Sequence, residues 1–304
     1  MRAPDDAWGV KGLLCDLDTF AIHDGPGIRM TVYLKGCPLS CAWCHSPESQ
    51  CAEPELAFVR DRCALCGGCV EVCPQGAHHL EDGQHAVDRA LCRACGRCVE
   101  VCAHGALAIK GYPVTAGEII ARAVRMLPFF RHSGGGITLT GGEVTLQPEF
   151  ALAVLRGCRA QGIHTAIETC GACPWPTLER LLAYTDLVLY DLKLMDDAAH
   201  RHWAGASNRL ILENAARLAG REVQVRVPLI PGITDTEGNL RAIYAFMHDV
   251  GLSEVTLLPY NEAAAAKYQW LDRSYPLDGK RQSPEALAHL VALAREMGLG
   301  ATIG

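Results

Sequence analysis

Residues 137–171 read ITLTGGEVTLQPEFALAVLRGCRAQGIHTAIETCG. Two short apolar runs, each bounded by glycine, enclose a longer segment of helical pattern. This order predicts a strand, a helix and a second strand parallel to the first. The stretch therefore indicates an α/β protein built on a parallel sheet.

The same alternation continues on both sides of this stretch. Strands are predicted at DLVLYDLK, VQVRVPLIPG and EVTLLPY, and helices at GEIIARAVRML, TLERLLA, LILENAARLAG, NLRAIYAFMHDVG and ALAHLVALAREMG. With the strand TVYLKG (31–36), the chain holds about six βα units. Six is short of the eight that close a barrel, so a partial barrel and a doubly wound sheet both remain open. Either architecture places the functional site at the C-terminal ends of the strands.

A cysteine loop follows the strand TVYLKG directly. Cys37, Cys41 and Cys44 form a C-x3-C-x2-C pattern. Three thiolates leave one iron of a four-iron cluster with an open position, as catalytic metal sites do for a substrate. The alternative is a zinc knuckle with His45 as the fourth ligand. Trp43 is expected to pack there and to shield the metal from solvent.

A second cysteine block contains an internal duplication. CALCGGCVEVCPQGA and CRACGRCVEVCAHGA begin 29 residues apart, at Cys63 and Cys92. Each carries the C-x2-C-x2-C-x3-C run of two-cluster ferredoxins, in which the fourth cysteine binds the other cluster. The predicted ligand sets are Cys63, Cys66 and Cys69 with Cys102, and Cys92, Cys95 and Cys98 with Cys73. Two zinc sites are the alternative.

These blocks divide the chain into three predicted segments. Residues 51–112 are a ferredoxin-like insert with two clusters, between an N-terminal segment, 1–50, and a C-terminal segment, 113–304. Five cysteines fall outside the patterns: Cys15, Cys51, Cys158, Cys170 and Cys173.

Composition restricts the class of protein. Sixteen cysteines in 304 residues are too dilute for a disulfide scaffold but exceed what packing requires, which favours metal or redox chemistry. The N-terminus has no signal-peptide pattern, so we expect a soluble protein of a reducing cytoplasm. The net charge of -6 leaves no basic footprint for nucleic acid, and no membrane association is expected.

Six motifs, taken in order, resemble a known family. They are similar to the activating enzymes of glycyl radical enzymes, which belong to the radical S-adenosylmethionine (SAM) superfamily and include a subgroup with a two-cluster ferredoxin insert. The motifs are HDGPGIR (23–29), KGCPLSCAWCHSPES (35–49), SGGGITLTGGE (133–143), YDLKLMD (190–196), RVPLIPGITD (226–235) and TLLPYNE (256–262).

The resemblance implies a fold and an activity. The fold is a partial (β/α)6 radical SAM barrel in which the Cys37–Cys44 loop holds a cluster that binds SAM. One electron, from flavodoxin or ferredoxin, cleaves SAM to methionine and a 5'-deoxyadenosyl radical. That radical takes a hydrogen atom from a backbone glycine of a partner enzyme. The partner remains open: a lyase acting on choline or diols, a decarboxylase or a fumarate-adding synthase.

The motifs also imply residue roles for SAM. Gly141 and Gly142 allow close backbone approach, and Glu143 accepts from the SAM ammonium group, although a helix N-terminal acid is the ordinary interpretation. Asp191 and Lys193 contact the methionine carboxylate or the ribose, or form an internal ion pair. The remaining predicted cofactor residues are Arg226 and Asn261.

Other roles concern an ion and the partner. Glu168 matches a family acid implicated in a monovalent cation site. Asp24, Gly25 and Gly27 form a turn at which the partner's glycine loop is expected to enter; a plain surface turn is the alternative.

Two other functions fit parts of the pattern. One is a radical SAM enzyme that acts on a small molecule. The other is a ferredoxin-like electron carrier, although a carrier has no use for the third cysteine loop or for Gly141–Glu143.

Overall fold

A computed structural model describes residues 8–304; the first seven residues of the predicted segment 1–50 lie outside the described part. Nine of the thirteen strands in this described part form one sheet, in the order β13-β12-β11-β10-β9-β8-β2-β1-β7. Its strands are β1 (Lys11–Ala21), β2 (Arg29–Leu34), β7 (Tyr112–Thr115), β8 (Gly136–Gly141), β9 (His164–Thr169), β10 (Leu187–Asp191), β11 (Val223–Pro228), β12 (Glu254–Leu258) and β13 (Gly300–Ile303).

The sheet is parallel from β2 to β13. β2 pairs with β8, and each later strand pairs with the next one along the chain. β1 is antiparallel to both β2 and β7. This arrangement confirms the α/β class with a mostly parallel sheet. The C-terminal ends of β2 and β8 to β12 therefore lie along one edge, where ligands of such sheets bind.

Helices connect the parallel strands and cover the sheet. They are α3 (Ala116–Arg125), α4 (Leu127–Ser133), α5 (Pro148–Ala160), α6 (Trp175–Leu182), α7 (Asp197–Ala204), α8 (Arg209–Ala215), α9 (Glu237–Asp249), α10 (Ala264–Trp270) and α11 (Pro284–Glu296), after the short α1 (Gly68–Val72) and α2 (Arg97–Glu100). Local signals start several of them. Thr115 and Glu118 form a capping box on α3, and Ser283 caps α11 with Pro284 at its first position. Among residues 8–304, no helix is long and apolar enough to cross a membrane.

Sequence patterns miss three strands of the main sheet: β1, β7 and β13. β1 has eleven residues, and its burial alternates only in part. β13 follows α11 at the end of the chain and pairs with β12. β7 and β13 have four residues each and pair with strands distant in sequence, while β1 pairs with its neighbour β2 and with β7. Short or irregularly buried strands of this kind carry little periodic signal.

Residues 55–110 carry a small layer of two further sheets. β3 (Glu55–Phe58) pairs with β6 (Leu107–Lys110), and β4 (His78–Glu81) forms a hairpin with β5 (Gln84–Val87). This layer has its own apolar core, which includes Leu56, Phe58 and Leu107. Tyr112 already pairs with Leu14 in the main sheet, one residue before the predicted boundary at 113.

Candidate active site

A cavity of about 930 Å³ opens at the C-terminal edge of the main sheet. Its wall combines the cysteine loop after β2 with residues from the ends of β8, β9, β10, β11 and β12. Every residue predicted to bind SAM lines it, together with the three loop cysteines and Asp24: Asp24, Cys37, Cys41, Cys44, Gly141, Gly142, Glu143, Asp191, Lys193, Arg226 and Asn261.

Backbone hydrogen bonds to residues outside the cysteine loop fix its conformation. Cys37 N donates to Gln50 O, while Ser40 N and Ala42 N donate to the carbonyl groups at the end of α7. Trp43 is buried beside Leu194 and Tyr260. The loop therefore has a defined conformation without any disulfide bond among its cysteines.

The spacing of the sulfur atoms bears on whether the loop suits a cluster or a single ion. The sulfur atoms of Cys37, Cys41 and Cys44 do not all lie within 4.8 Å of one another, and His45 adds no such group. Tetrahedral zinc with bonds of about 2.3 Å brings sulfur ligands to about 3.8 Å apart. Wider spacing suits the corners of an iron–sulfur cluster. Burial raises the pKa of Cys37 and of Cys44 to about 12, so metal binding there releases protons.

Gly141 and Gly142 permit contact between neighbouring backbones. Gly141 has φ +113, and a Cβ atom there would lie 2.2 Å from Leu34 N. A Cβ atom on Gly142 would lie 2.0 Å from Gly36 O. Gly142 N and Glu143 N instead donate to Leu34 O and Gly36 O. The glycines thus join the end of β8 to the start of the cysteine loop.

Glu143 is buried at the cavity wall and accepts four hydrogen bonds. Oε1 accepts from Thr145 N, Thr145 Oγ1 and Thr169 Oγ1, at 3.1, 2.9 and 2.6 Å, and Oε2 accepts from Cys170 N at 2.8 Å. Glu143 therefore caps the 3-10 turn 144–146, the helix N-terminal role that the sequence allows. Oε2 accepts only one of these hydrogen bonds, and a carboxylate oxygen can accept more than one, so Oε2 retains an acceptor position for a ligand.

Glu143→Gln is expected to lower the free energy of unfolding by about 1–3 kcal/mol. The amide nitrogen would face donors that now share a carboxylate, and at least one buried donor would lose its acceptor. Thermal unfolding of the purified variant measures the loss. Glu149→Gln is the matched control, since Glu149 is 66% exposed and pairs only with Arg180. Equal melting temperatures for both variants would contradict this bracing role.

Asp191 and Lys193 lie together at the end of β10. Lys193 Nζ donates to Asp191 Oδ2 at 2.8 Å, which is the internal ion pair that the sequence allows. Burial alone lowers the pKa of Lys193, but Asp191 and nearby thiols raise it above its usual value, so the ammonium stays charged. Asp191 Oδ1 is buried and has no partner in the described part of the chain. One acceptor of the pair therefore remains free at the cavity wall.

Arg226 on β11 lies between two acids. Its Nη1 atom is 3.2 Å from Glu168 Oε2 and 4.0 Å from Asp24 Oδ1. Burial raises the pKa of Glu168, and the Arg226 guanidinium opposes that shift. Arg226 Nε and Nη1 make no hydrogen bond to any described residue, although Nη1 is within ion-pair distance of Glu168. Two donors of a residue that lines the cavity are thus buried without a hydrogen bond.

Of the predicted partner turn, Asp24 lines the cavity, whereas Gly25 and Gly27 are not among its lining residues. Asp24 Oδ2 accepts from Thr31 Oγ1 at 2.9 Å and from Tyr33 OH at 3.2 Å. Gly25 and Gly27 have φ +120 and +66, in the left-handed region. Asp24 is therefore a fixed side chain of the cavity and not part of a free surface turn. Asn261 lies at the opposite rim, where its Oδ1 accepts from Ala263 N.

Arg29 is a site-supporting residue that sequence patterns do not single out. It is fully buried, and it donates to Thr138 Oγ1 and to Ile137 O on β8. Burial lowers its pKa to about 10. Arg29 thereby joins the Asp24 turn to β8. The signal available from sequence is its place at the start of an apolar strand, within HDGPGIR.

Two smaller cavities lie in residues 51–112. The first insert cavity is lined by Cys63, Cys66, Cys69 and Cys102, and the second by Cys92, Cys95, Cys98 and Cys73. The duplicated loops share one backbone shape, with Leu65 and Ala94 both left-handed at φ 55 and 48. The two sets of thiols are grouped as the spacing predicts; the identity of their metal remains a prediction.

Comparison with known proteins identifies the family. The radical SAM superfamily model matches residues 31–242. The isethionate sulfite-lyase activating enzyme of Nitratidesulfovibrio vulgaris is 41% identical, over 94% of this chain and 95% of that protein. This chain belongs to the activating enzymes of glycyl radical enzymes, within the radical SAM superfamily.

Other activating enzymes have comparable similarity. The benzylsuccinate synthase activating enzyme of Thauera aromatica is 39% identical, over 96% of this chain and 92% of that protein. In fold, a radical SAM methyltransferase from Sphaerobacter thermophilus has a TM-score of 0.54 at 17% identity, covering 91% of this chain and 66% of that one. The electron carrier and the small-molecule enzyme are therefore set aside as functions of this activating enzyme.

Proposed function

We propose that this activating enzyme holds three four-iron clusters and binds SAM in the 930 Å³ cavity, where it generates the radical that it transfers to a glycine of its partner. The observation that carries the proposal is the grouping of eleven free thiols around three cavities. The barrel cluster is assigned to Cys37, Cys41 and Cys44, and the insert clusters to the two sets above. Residues 51–112 then form a ferredoxin-like insert on a partial (β/α)6 barrel.

The unpaired polar atoms of the cavity fit SAM. Its methionine moiety carries an ammonium and a carboxylate, and its ribose carries two hydroxyl groups. Asp191 Oδ1 and the free position on Glu143 Oε2 are acceptors, while Arg226 Nε and Nη1 are donors. When bound, the cluster and SAM supply the one-electron cleavage. The residues of this chain bind and orient SAM and exclude water. A monovalent cation beside Glu168 is part of the same proposal.

The partner's glycine loop is proposed to enter beside Asp24, Gly25 and Gly27. Apolar side chains are exposed at that rim: Phe20 is 53% and Ile22 is 66% exposed, and both line the cavity mouth. Phe20 also stacks edge to face on Phe129, with ring centroids 5.2 Å apart. Exposed aromatic and aliphatic groups around a cavity mouth are typical of an interface with protein.

Ile22→Asp is expected to lower the yield of glycyl radical on the partner at least tenfold at limiting partner concentration. A charge at the centre of an apolar contact weakens docking, whereas SAM cleavage without the partner should remain near the wild-type rate. Electron paramagnetic resonance (EPR) measures the radical, and chromatography measures 5'-deoxyadenosine. Leu210→Asp is the matched control, because Leu210 is 46% exposed on α8 and does not line the cavity. An equal loss in both variants would contradict docking at Ile22.

The test of the activity as a whole uses anaerobically reconstituted protein. With a one-electron reductant and SAM it should release 5'-deoxyadenosine and methionine, and with its partner it should produce a glycine-centred radical visible by EPR. Candidate partners are the lyases and synthases that the relatives' names mention: isethionate sulfite-lyase, choline trimethylamine-lyase and benzylsuccinate synthase. SAM cleavage without a radical on any candidate partner would point to a different partner enzyme.

A further inference from the structure

Two buried histidines of the insert have no role in the activity described above. His78 and His85 are 3% and 5% exposed. His78 Nδ1 lies 2.9 Å from His85 Nε2. The other ring nitrogen of His85, Nδ1, lies 3.5 Å from Cys63 Sγ, and Nε2 lies 3.6 Å from Cys69 Sγ. One imidazole therefore contacts two predicted cluster ligands while it is hydrogen bonded to a second imidazole.

The internal duplication shows that these histidines are departures from the repeat. His85 lies seven residues before Cys92, where the first repeat has Leu56 before Cys63. His78 lies five residues after Cys73, where the second repeat has Leu107 after Cys102. Leu107 and His85 thus line the first insert cavity, beside Leu65, Leu80 and His104, while Leu56 and His78 line the second.

The negative charge on a metal-bound Cys63 sulfur determines which ring nitrogens of His78 and His85 carry hydrogen. Two neutral imidazoles 2.9 Å apart share one N–H. If His85 Nε2 carried it, the lone pair of Nδ1 would point at the sulfur of Cys63, which is an anionic acceptor when it binds iron. The favourable arrangement has His78 Nδ1–H donating to His85 Nε2, so that His85 Nδ1–H donates to Cys63 Sγ. His78 therefore selects the tautomer of His85.

We propose that His85, oriented by His78, donates a hydrogen bond to a sulfur ligand of the cluster in the first insert cavity and raises the reduction potential of that cluster. The proposal rests on the assignment of two clusters to the insert. Reduction adds negative charge to a cluster, and an N–H donor to its sulfur stabilises that charge.

The second cavity lacks this donor. No histidine nitrogen contacts the sulfur atoms of Cys73, Cys92, Cys95 or Cys98 among the hydrogen bonds of residues 8–304, although Ala77 N donates to Cys73 Sγ. Cys66 and Cys95 occupy equivalent positions and are both exposed, whereas Cys98 is buried and its counterpart Cys69 is half-buried. The His85 contact is therefore one difference between the two sets, and substitution of His85 isolates it.

The test is a redox titration followed by EPR, on the full chain and on the full chain with Cys37, Cys41 and Cys44 replaced by Ala. His85→Leu copies Leu56 of the other repeat. At a fixed solution potential, the reduced-to-oxidised ratio of one insert cluster is expected to fall about tenfold, equivalent to about 59 mV for one electron. The ratio of the other cluster should change much less. His79→Leu, at the exposed neighbouring position, is the matched control and should change neither.

Conservative variants separate hydrogen bonding from packing. His85→Asn places an amide N–H near the position of Nδ1 and should restore most of the potential. His85→Gln places it near Nε2 and should not. If the His85→Leu variant does not bind iron, the reduction potentials of the His85→Asn and His85→Gln variants are compared instead. Equal potentials in those two variants would overturn the proposal.

Iron content distinguishes failure of this proposal from failure of the cluster assignment. Fewer than about eight iron atoms in the triple Ala background would show that the insert does not hold two four-iron clusters. Eight iron atoms with unchanged potentials in His85→Leu would refute the hydrogen bond alone. In protein labelled with 15N-histidine, pulsed EPR should detect a nitrogen coupling to a reduced insert cluster, and that coupling should vanish in His85→Leu.

Discussion

Protein in which Cys37, Cys41 and Cys44 are all replaced by Ala is expected to hold about eight iron atoms per chain instead of about twelve, and to cleave no SAM. These thiols line the large cavity together with the unpaired atoms of Asp191 and Arg226. Without these three thiols, no iron is bound in the cavity that is proposed to bind SAM. Iron and sulfide analysis gives the count, and release of 5'-deoxyadenosine under dithionite gives the activity.

The matched control for this prediction is Cys51→Ala. Cys51 is a partly exposed thiol beside the same loop, and its sulfur accepts only from Glu53 N. It should keep about twelve iron atoms and full SAM cleavage. A triple variant that keeps twelve iron atoms, or wild-type protein that holds stoichiometric zinc in place of iron, would contradict the cluster assignment.

Replacement of both Cys66 and Cys95 by Ala is expected to abolish SAM cleavage driven by flavodoxin or ferredoxin, while a small chemical reductant partly restores it. These cysteines are equivalent ligands in the two insert sets, and both are exposed. In the proposed function all four irons of each insert cluster are held by cysteine, which leaves no open position and suits electron transfer. A bulky protein donor cannot reach the cavity while a partner is docked, whereas a small reductant can.

The measurement compares 5'-deoxyadenosine formation with the two reductants. Val70→Ala, at an exposed position of α1 between cluster ligands, is the control and should respond normally to both. Equal loss with both reductants in the double variant, accompanied by failure to bind the partner, would assign the insert a bracing role instead of a relay.

Much of the predicted secondary structure followed from the spacing of apolar residues within short segments. The strand–helix alternation from Thr115 onward predicted the helices α3, α5, α6, α8, α9 and α11 and the strands between them, because burial against a sheet imposes a period on each segment. The motifs identified the family because several short patterns in one order restrict the chain far more than any one of them does. The relatives confirm that identification.

These patterns did not predict which charged side chains from different strands meet across the sheet. Glu168, Arg226 and Asp24 lie on three separate segments, yet their side chains meet within 4.0 Å because neighbouring strands end at one edge. Glu143 similarly gathers donors from Thr145, Thr169 and Cys170. Sequence patterns marked most of these acids and bases as candidates, but which of their atoms remain unpaired depends on contacts between strands.

The amino-acid sequence therefore determined the α/β class, the family and the cysteines able to bind metal, since each depends on residue types at short, regular spacing. Only the tertiary structure decided that β1 and β7 extend the sheet, that Glu143 braces the cavity, and that His78 and His85 meet beside Cys63. The physical reason is that these contacts join segments through the packing of the folded chain. The periodic pattern of one segment does not predict which residues of another segment pack against it.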